Sequence, residues 1–152
     1  LKAYVNKYKE DRDYNFTLSA KLNNKPTVYE GDKLSISGQV SQPAYINVLG
    51  WYPDSDKDTY YKVFPNQFEK NNSVKNFFYI PREDVLNKYE LRTKIPDNVK
   101  EDETYEFFVI IASKKQFVIL DNEKVLDFKK RLSILGRSNW DMKKIGYTII
   151  RN

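Results

Sequence analysis

The stretch Tyr14-Asn15-Phe16-Thr17-Leu18-Ser19-Ala20-Lys21-Leu22 decides the fold class. Apolar side chains stand at every second position, with Asn15, Thr17, Ser19 and Lys21 between them, the period of a half-buried strand. Asn23, Asn24, Lys25 and Pro26 end it. Downstream, Leu34, Ile36 and Val40 predict a second strand, with Gly38 as a bulge. Residues 44–52 are apolar on both faces: Ala44, Ile46 and Val48 on one, Tyr45, Leu49 and Trp51 on the other. A strand of that kind belongs in the middle of a sheet. After a turn at Pro53–Asp58, Tyr60 to Phe64 returns and Pro65-Asn66 reverses the chain again. Phe77 and Tyr79 lead to Pro81, and Tyr89, Leu91, Thr93 and Ile95 alternate before Pro96. The continuous apolar run that ends at Ala112 predicts another central strand. Short strands are expected at Gln116–Leu120 and at 145–151.

One helix interrupts this pattern. Val125, Phe128, Leu132 and Leu135 form a 3-4-3 stripe, Asp121 or Asn122 is placed to cap its start, and Gly136 its end. The helix is expected over 122–135. The sum is a mostly β chain: one antiparallel, immunoglobulin-like β-sandwich of about eight strands with one C-terminal helix. The sandwich domain is assigned to 14–152. Residues 1–13 read as a linker or a short helix from an upstream segment, because Leu1, Tyr4, Val5 and Tyr8 make one short stripe.

Composition bounds the chemistry. The 152 residues contain no Cys and no His. The chain therefore cannot by itself supply a Ser-His-Asp or Cys-His hydrolase, a histidine pH switch or a thiolate metal site. The net charge of +5 is uneven: residues 121–152 carry eight basic and four acidic residues, the preceding 120 carry 18 and 17. Lys129, Lys130, Arg131, Lys143 and Lys144 make up most of the basic excess and form a candidate patch for an anionic surface. No recognition-helix motif accompanies them, so nucleic acid is disfavoured as a partner. No apolar run reaches the roughly 20 residues of a bilayer span. The chain begins at Leu1 rather than Met, which points to a processed product or an excised domain.

Reactive constellations are sparse in the chain. Asp54, Asp56 and Asp58 alternate as in a calcium loop, but the sixth position is Thr59 and the twelfth Pro65, so a solvated acidic turn is expected and no metal site. Ser113 and Lys114 are adjacent on a strand and point apart, which disfavours a Ser/Lys dyad. Trp51, Tyr52, Tyr60 and Tyr61 flank the acidic turn and form a candidate stacking platform for a glycan. No cofactor motif is present.

Five further segments carry a resemblance. They are Lys25-Pro26-Thr27-Val28-Tyr29-Glu30-Gly31-Asp32-Lys33-Leu34, then Pro43-Ala44-Tyr45-Ile46-Asn47-Val48-Leu49-Gly50, then Val63-Phe64-Pro65-Asn66, followed by Tyr79-Ile80-Pro81 and Tyr89-Glu90-Leu91. This order resembles the bacterial domain of unknown function 4384 family, over roughly residues 16–120. The resemblance implies a small β-sandwich module of exported bacterial proteins, often lipoproteins. No catalytic set comes with it. The chain departs from the family in the longer, acidic Pro53–Asp58 turn and the charged loop from Pro96 to Glu103. The expectation is a non-catalytic accessory module of a cell-envelope protein, periplasmic or outer-membrane-associated. Its partner is another envelope protein, a domain of the same longer chain, or a glycan. Membrane attachment is expected only through an anchor outside this chain.

Overall fold

A computed structural model describes residues 11–152; the stripe of Leu1, Tyr4, Val5 and Tyr8 lies outside them. Among the described residues twelve strands and one α-helix occur. The strands are β1 (Leu18–Leu22), β2 (Thr27–Tyr29), β3 (Lys33–Leu34), β4 (Ile36–Val40), β5 (Ala44–Trp51), β6 (Thr59–Phe64), β7 (Ser73–Val74), β8 (Phe77–Ile80), β9 (Leu91–Arg92), β10 (Glu103–Ser113), β11 (Glu123–Lys124) and β12 (Trp140–Ile150). The helix α1 spans Val125–Leu135. The described residues are mostly β with one C-terminal helix, as the periodicity predicts, but they hold twelve strands in place of about eight and one parallel pair.

β1, β4 and β8 form a three-stranded antiparallel sheet in that order. A seven-stranded sheet runs β11-β6-β5-β10-β12-β2, with β7 also on β5. Its pairs are antiparallel except β12 with β2, so this sheet is mixed. β3 and β9 make a small antiparallel ladder.

The central position of β5 and β10 follows from their two apolar faces. Ala44, Ile46, Val48, Phe108 and Ile110 join Leu18, Ile36, Val40, Phe78 and Ile80 of the smaller sheet in one core. Leu49, Val109 and Ile111 join Phe128 and Leu132 of α1 in a second core on the opposite face. Neither face of the large sheet meets water at its middle, so the strands there need no polar side. Full burial of Phe128 and Leu132 stabilises the helix contact by roughly 1.5–3 kcal/mol each.

Several expectations are corrected. β1 begins at Leu18, and Tyr14 lies exposed before it. Gly38 is no bulge: it pairs regularly with Ala20 and Phe78, and the Phe78 ring occupies the space a Cβ would take, 2.3 Å away. Gln116–Leu120 forms no strand; it is an extended segment that inserts Phe117 and Ile119 under α1. The alternation around Tyr89–Ile95 contracts to β9, because Tyr89 turns to Glu69 and the Thr93 hydroxyl bonds the Tyr29 carbonyl. The helix starts at Val125 without a side-chain cap, since Glu123–Lys124 pairs with Thr59–Tyr60 first. Asp121 instead accepts from the Lys62 and Asn122 N–H groups. The last strand begins at Trp140, not 145, and pairs along all of β10. Gly136 closes α1 with φ +93°, and Gly31 turns at φ +94°, both open to glycine and strained for other residues.

Candidate functional site

The four rings of the expected glycan platform do not share one surface. β5 and β6 are pleated, so Trp51 and Tyr60 project to the helix side while Tyr52 and Tyr61 project to the other. Tyr60 is buried edge-on against Phe128, with centroids 5.4 Å apart. Trp51 is half-buried, donates its Nε1–H to the Lys57 carbonyl at 3.1 Å and packs on Phe107. Tyr52 and Tyr61 stack on each other at 5.5 Å and 11°.

The basic residues are also divided. Lys129 and Lys130 are exposed on α1. Arg131 is a structural cation: it pairs with Glu123 at 2.9 Å, donates to the Val118 carbonyl at 2.8 Å and covers the Phe117 ring. Lys143 and Lys144 are neighbours on β12 and point to opposite faces. Lys144 stands 4.5 Å over the Trp51 ring and 4.6 Å over Phe107, so a cation of one expected site caps an aromatic of the other. In the acidic turn, Asp54 accepts from the Thr104 hydroxyl and Asp56 from the Asp58 N–H. Among the described residues no group of three or more Asp or Glu is placed to hold a metal ion. The Ser113 hydroxyl donates to the Lys115 carbonyl, while Lys114 pairs with Asp13.

The site that sequence reading missed centres on Glu106. It stands on β10 in register with Phe108 and Ile110 and is 1% exposed. The Tyr147 hydroxyl on β12 donates to Oε1, and Tyr52 stands near the carboxyl. Oε2 has no hydrogen-bond partner. Burial pushes the Glu106 carboxyl up to about 8, against the opposing pull of the two tyrosines. Burial, then the nearby Glu106, pushes Tyr147 and Tyr52 up as well. Near neutral pH the carboxyl is therefore mostly the acid, and with Tyr147 donating to Oε1 its proton belongs on Oε2.

Glu106 and Phe108 line a cavity of about 370 Å³. Its other walls are Tyr61, the stacked pair Phe68 and Tyr89, and Leu91. Lys62, Glu90 and Arg92 stand at its rim. Tyr61, Phe108 and Tyr89 are fixed from behind, while Phe68 is exposed at the mouth. Tyr61 lies on Tyr52 and fills the space beside Gly50, Phe108 stacks on Tyr147 at 5.7 Å, and Tyr89 donates to the buried Glu69 at 2.6 Å. Glu69 is held in turn by Arg82 at 3.4 Å. Burial and the Glu69 bond push Tyr89 up. At the rim Arg92 pairs with Glu90 at 2.8 Å and donates to the Gly31 carbonyl.

The signal for this site was present in the chain: a glutamate on the inward parity of an otherwise apolar strand is a buried charge unless something neutralises it. Comparison with protein families, with curated proteins and with solved structures returns no match for the chain.

Proposed function

We propose that this chain is a non-catalytic interaction module of an exported bacterial envelope protein, and that the cavity under Tyr61 and Tyr89 is its recognition site. The observation that carries the site is Glu106, a buried carboxyl with one oxygen unpartnered, at the wall of an aromatic cavity. Natural proteins leave few buried polar atoms unpaired, and those left often serve a ligand. An immunoglobulin-like sandwich is the architecture we infer, supported by the single core shared between the three-stranded sheet and one face of the large sheet. The envelope setting rests on the resemblance of residues 16–120 to a family of exported modules. No described helix is long and apolar enough to cross a membrane.

The test is a heteronuclear NMR titration of the chain with fractionated envelope extract. Shifts concentrated at Tyr61, Tyr89 and Glu106 are expected. Shifts confined to other faces would remove the cavity from the proposal. Turnover of an esterase or glycosidase panel, lost in Glu106→Gln, would make the chain an enzyme.

A second reading keeps the glycan ligand and moves it. Phe77 and Tyr79 are 66% and 61% exposed on the outer face of β8. They line a groove of about 420 Å³ with Ser19, Ser37 and Gln39. Rings two residues apart on one strand face, beside hydroxyl and amide groups, suit a sugar chain. Peptidoglycan sedimentation that Phe77→Ala and Tyr79→Ala leave intact would remove this reading.

A further inference from the structure

From the geometry of the Glu106 cavity we infer that its ligand carries a small organic ammonium group, which sits among the aromatic walls opposite the Glu106 carboxyl. This inference rests on the reading of the cavity as the recognition site and adds the chemistry of the ligand. The ring faces of Tyr61, Phe68, Tyr89 and Phe108 carry negative quadrupole charge, and such walls select cations, quaternary ammonium groups above all. Tyr52 and Tyr147 hold Tyr61 and Phe108 in place and Glu69 holds Tyr89, so little order is lost at these three rings on binding.

The carboxyl completes the argument. Its Oε2 accepts no hydrogen bond of good geometry, with the Tyr52 hydroxyl as its near neighbour. A wholly apolar ligand would leave that oxygen orphaned, at a cost the cavity already bears. A cation beside it favours the carboxylate, so binding transfers the Oε2 proton to solvent and leaves an ion pair. The titratable groups facing Glu106 are Tyr52 after β5, Tyr61 on β6, Tyr89 and Tyr147 on β12, with Lys62, Glu90 and Arg92 at the rim. The rim does not repel the cation strongly: Arg92 is paired with Glu90, which also holds Lys33 at 3.1 Å. The volume, about 370 Å³, lies at the small end of ligand sites, roughly 300–1,000 Å³, and suits a head group rather than a polymer.

Calorimetric titration with choline, and with its neutral isostere in which a tert-butyl group replaces trimethylammonium, tests the inference. Choline is expected to bind about tenfold more tightly than the isostere. Titration in buffers of different ionisation enthalpy should show a proton released on binding. Glu106→Gln, which keeps an acceptor for Tyr147, should narrow the difference between the two ligands and abolish the proton release, the aromatic walls keeping the remaining preference. Lys62→Gln changes only an exposed rim charge and should not weaken choline binding; a loss there would count against a buried cation. Equal binding of both ligands to the native chain would overturn the ammonium assignment and leave the recognition site standing. Binding of neither would overturn both.

Discussion

Glu106 also governs the stability of the molecule at the scale of one residue. Its ordinary value is 4.5 and the fold raises it to about 8, so the folded state holds a proton that the unfolded chain releases in between. The stabilising contribution is complete below pH 4.5 and declines as pH rises through 8, by about 1.4 kcal/mol for each pH unit in that window. The urea midpoint should therefore fall from pH 5 to pH 8, and Glu106→Gln should flatten that slope; an unchanged slope would mean that Glu106 does not titrate in the fold. Gly50 sets a second residue-scale test. A Cβ there would lie 2.0 Å from the Tyr61 ring. Gly50→Ala should cost about 1–3 kcal/mol by overpacking and displace Tyr61 from Tyr52, read as a loss in thermal midpoint and in near-ultraviolet dichroism.

At the scale of elements, α1 depends on its buried stripe and on Arg131. Phe128→Ala should cost about 3–5 kcal/mol in chemical denaturation, since the ring is 1% exposed and touches Tyr60 and Phe117. Arg131→Ala strips a cation from Glu123, which is 8% exposed, and should cost about 2 kcal/mol or more. Lys129→Ala on the same helix should change stability by less than about 0.5 kcal/mol. Equal effects at 129 and 131 would show that Arg131 is surface charge after all. The helix stripe was legible because Phe128 and Leu132 obey a local period. Its start was not, because Glu123–Lys124 is claimed by β6, some 60 residues away in the chain. The segment 116–120 failed for the same reason. Its alternation reports that Phe117 and Ile119 face a core, and alternation is silent on whether a neighbouring strand offers hydrogen bonds.

At the scale of the molecule, one large sheet carries a smaller sheet on one face and a helix on the other. That arrangement explains why residues grouped by sequence come apart. Adjacent strand residues point to opposite faces, so Trp51 and Tyr52, or Lys143 and Lys144, serve different environments. By itself the sequence determined the mostly β class, the two-sided strands at 44–52 and 105–112, the turn at Gly31 and the cap at Gly136. These are local, since side-chain period and backbone freedom act within a few residues. The tertiary structure alone decided the parallel pairing of β2 with β12, the division of the aromatic and basic groups, and the site itself. Glu106, Tyr147, Tyr61 and Tyr89 come from four distant segments, and their partnership exists only once the tertiary fold has gathered them in and behind the walls of one cavity. A buried carboxyl acquires its chemistry from what surrounds it, and what surrounds it is set by non-local pairing.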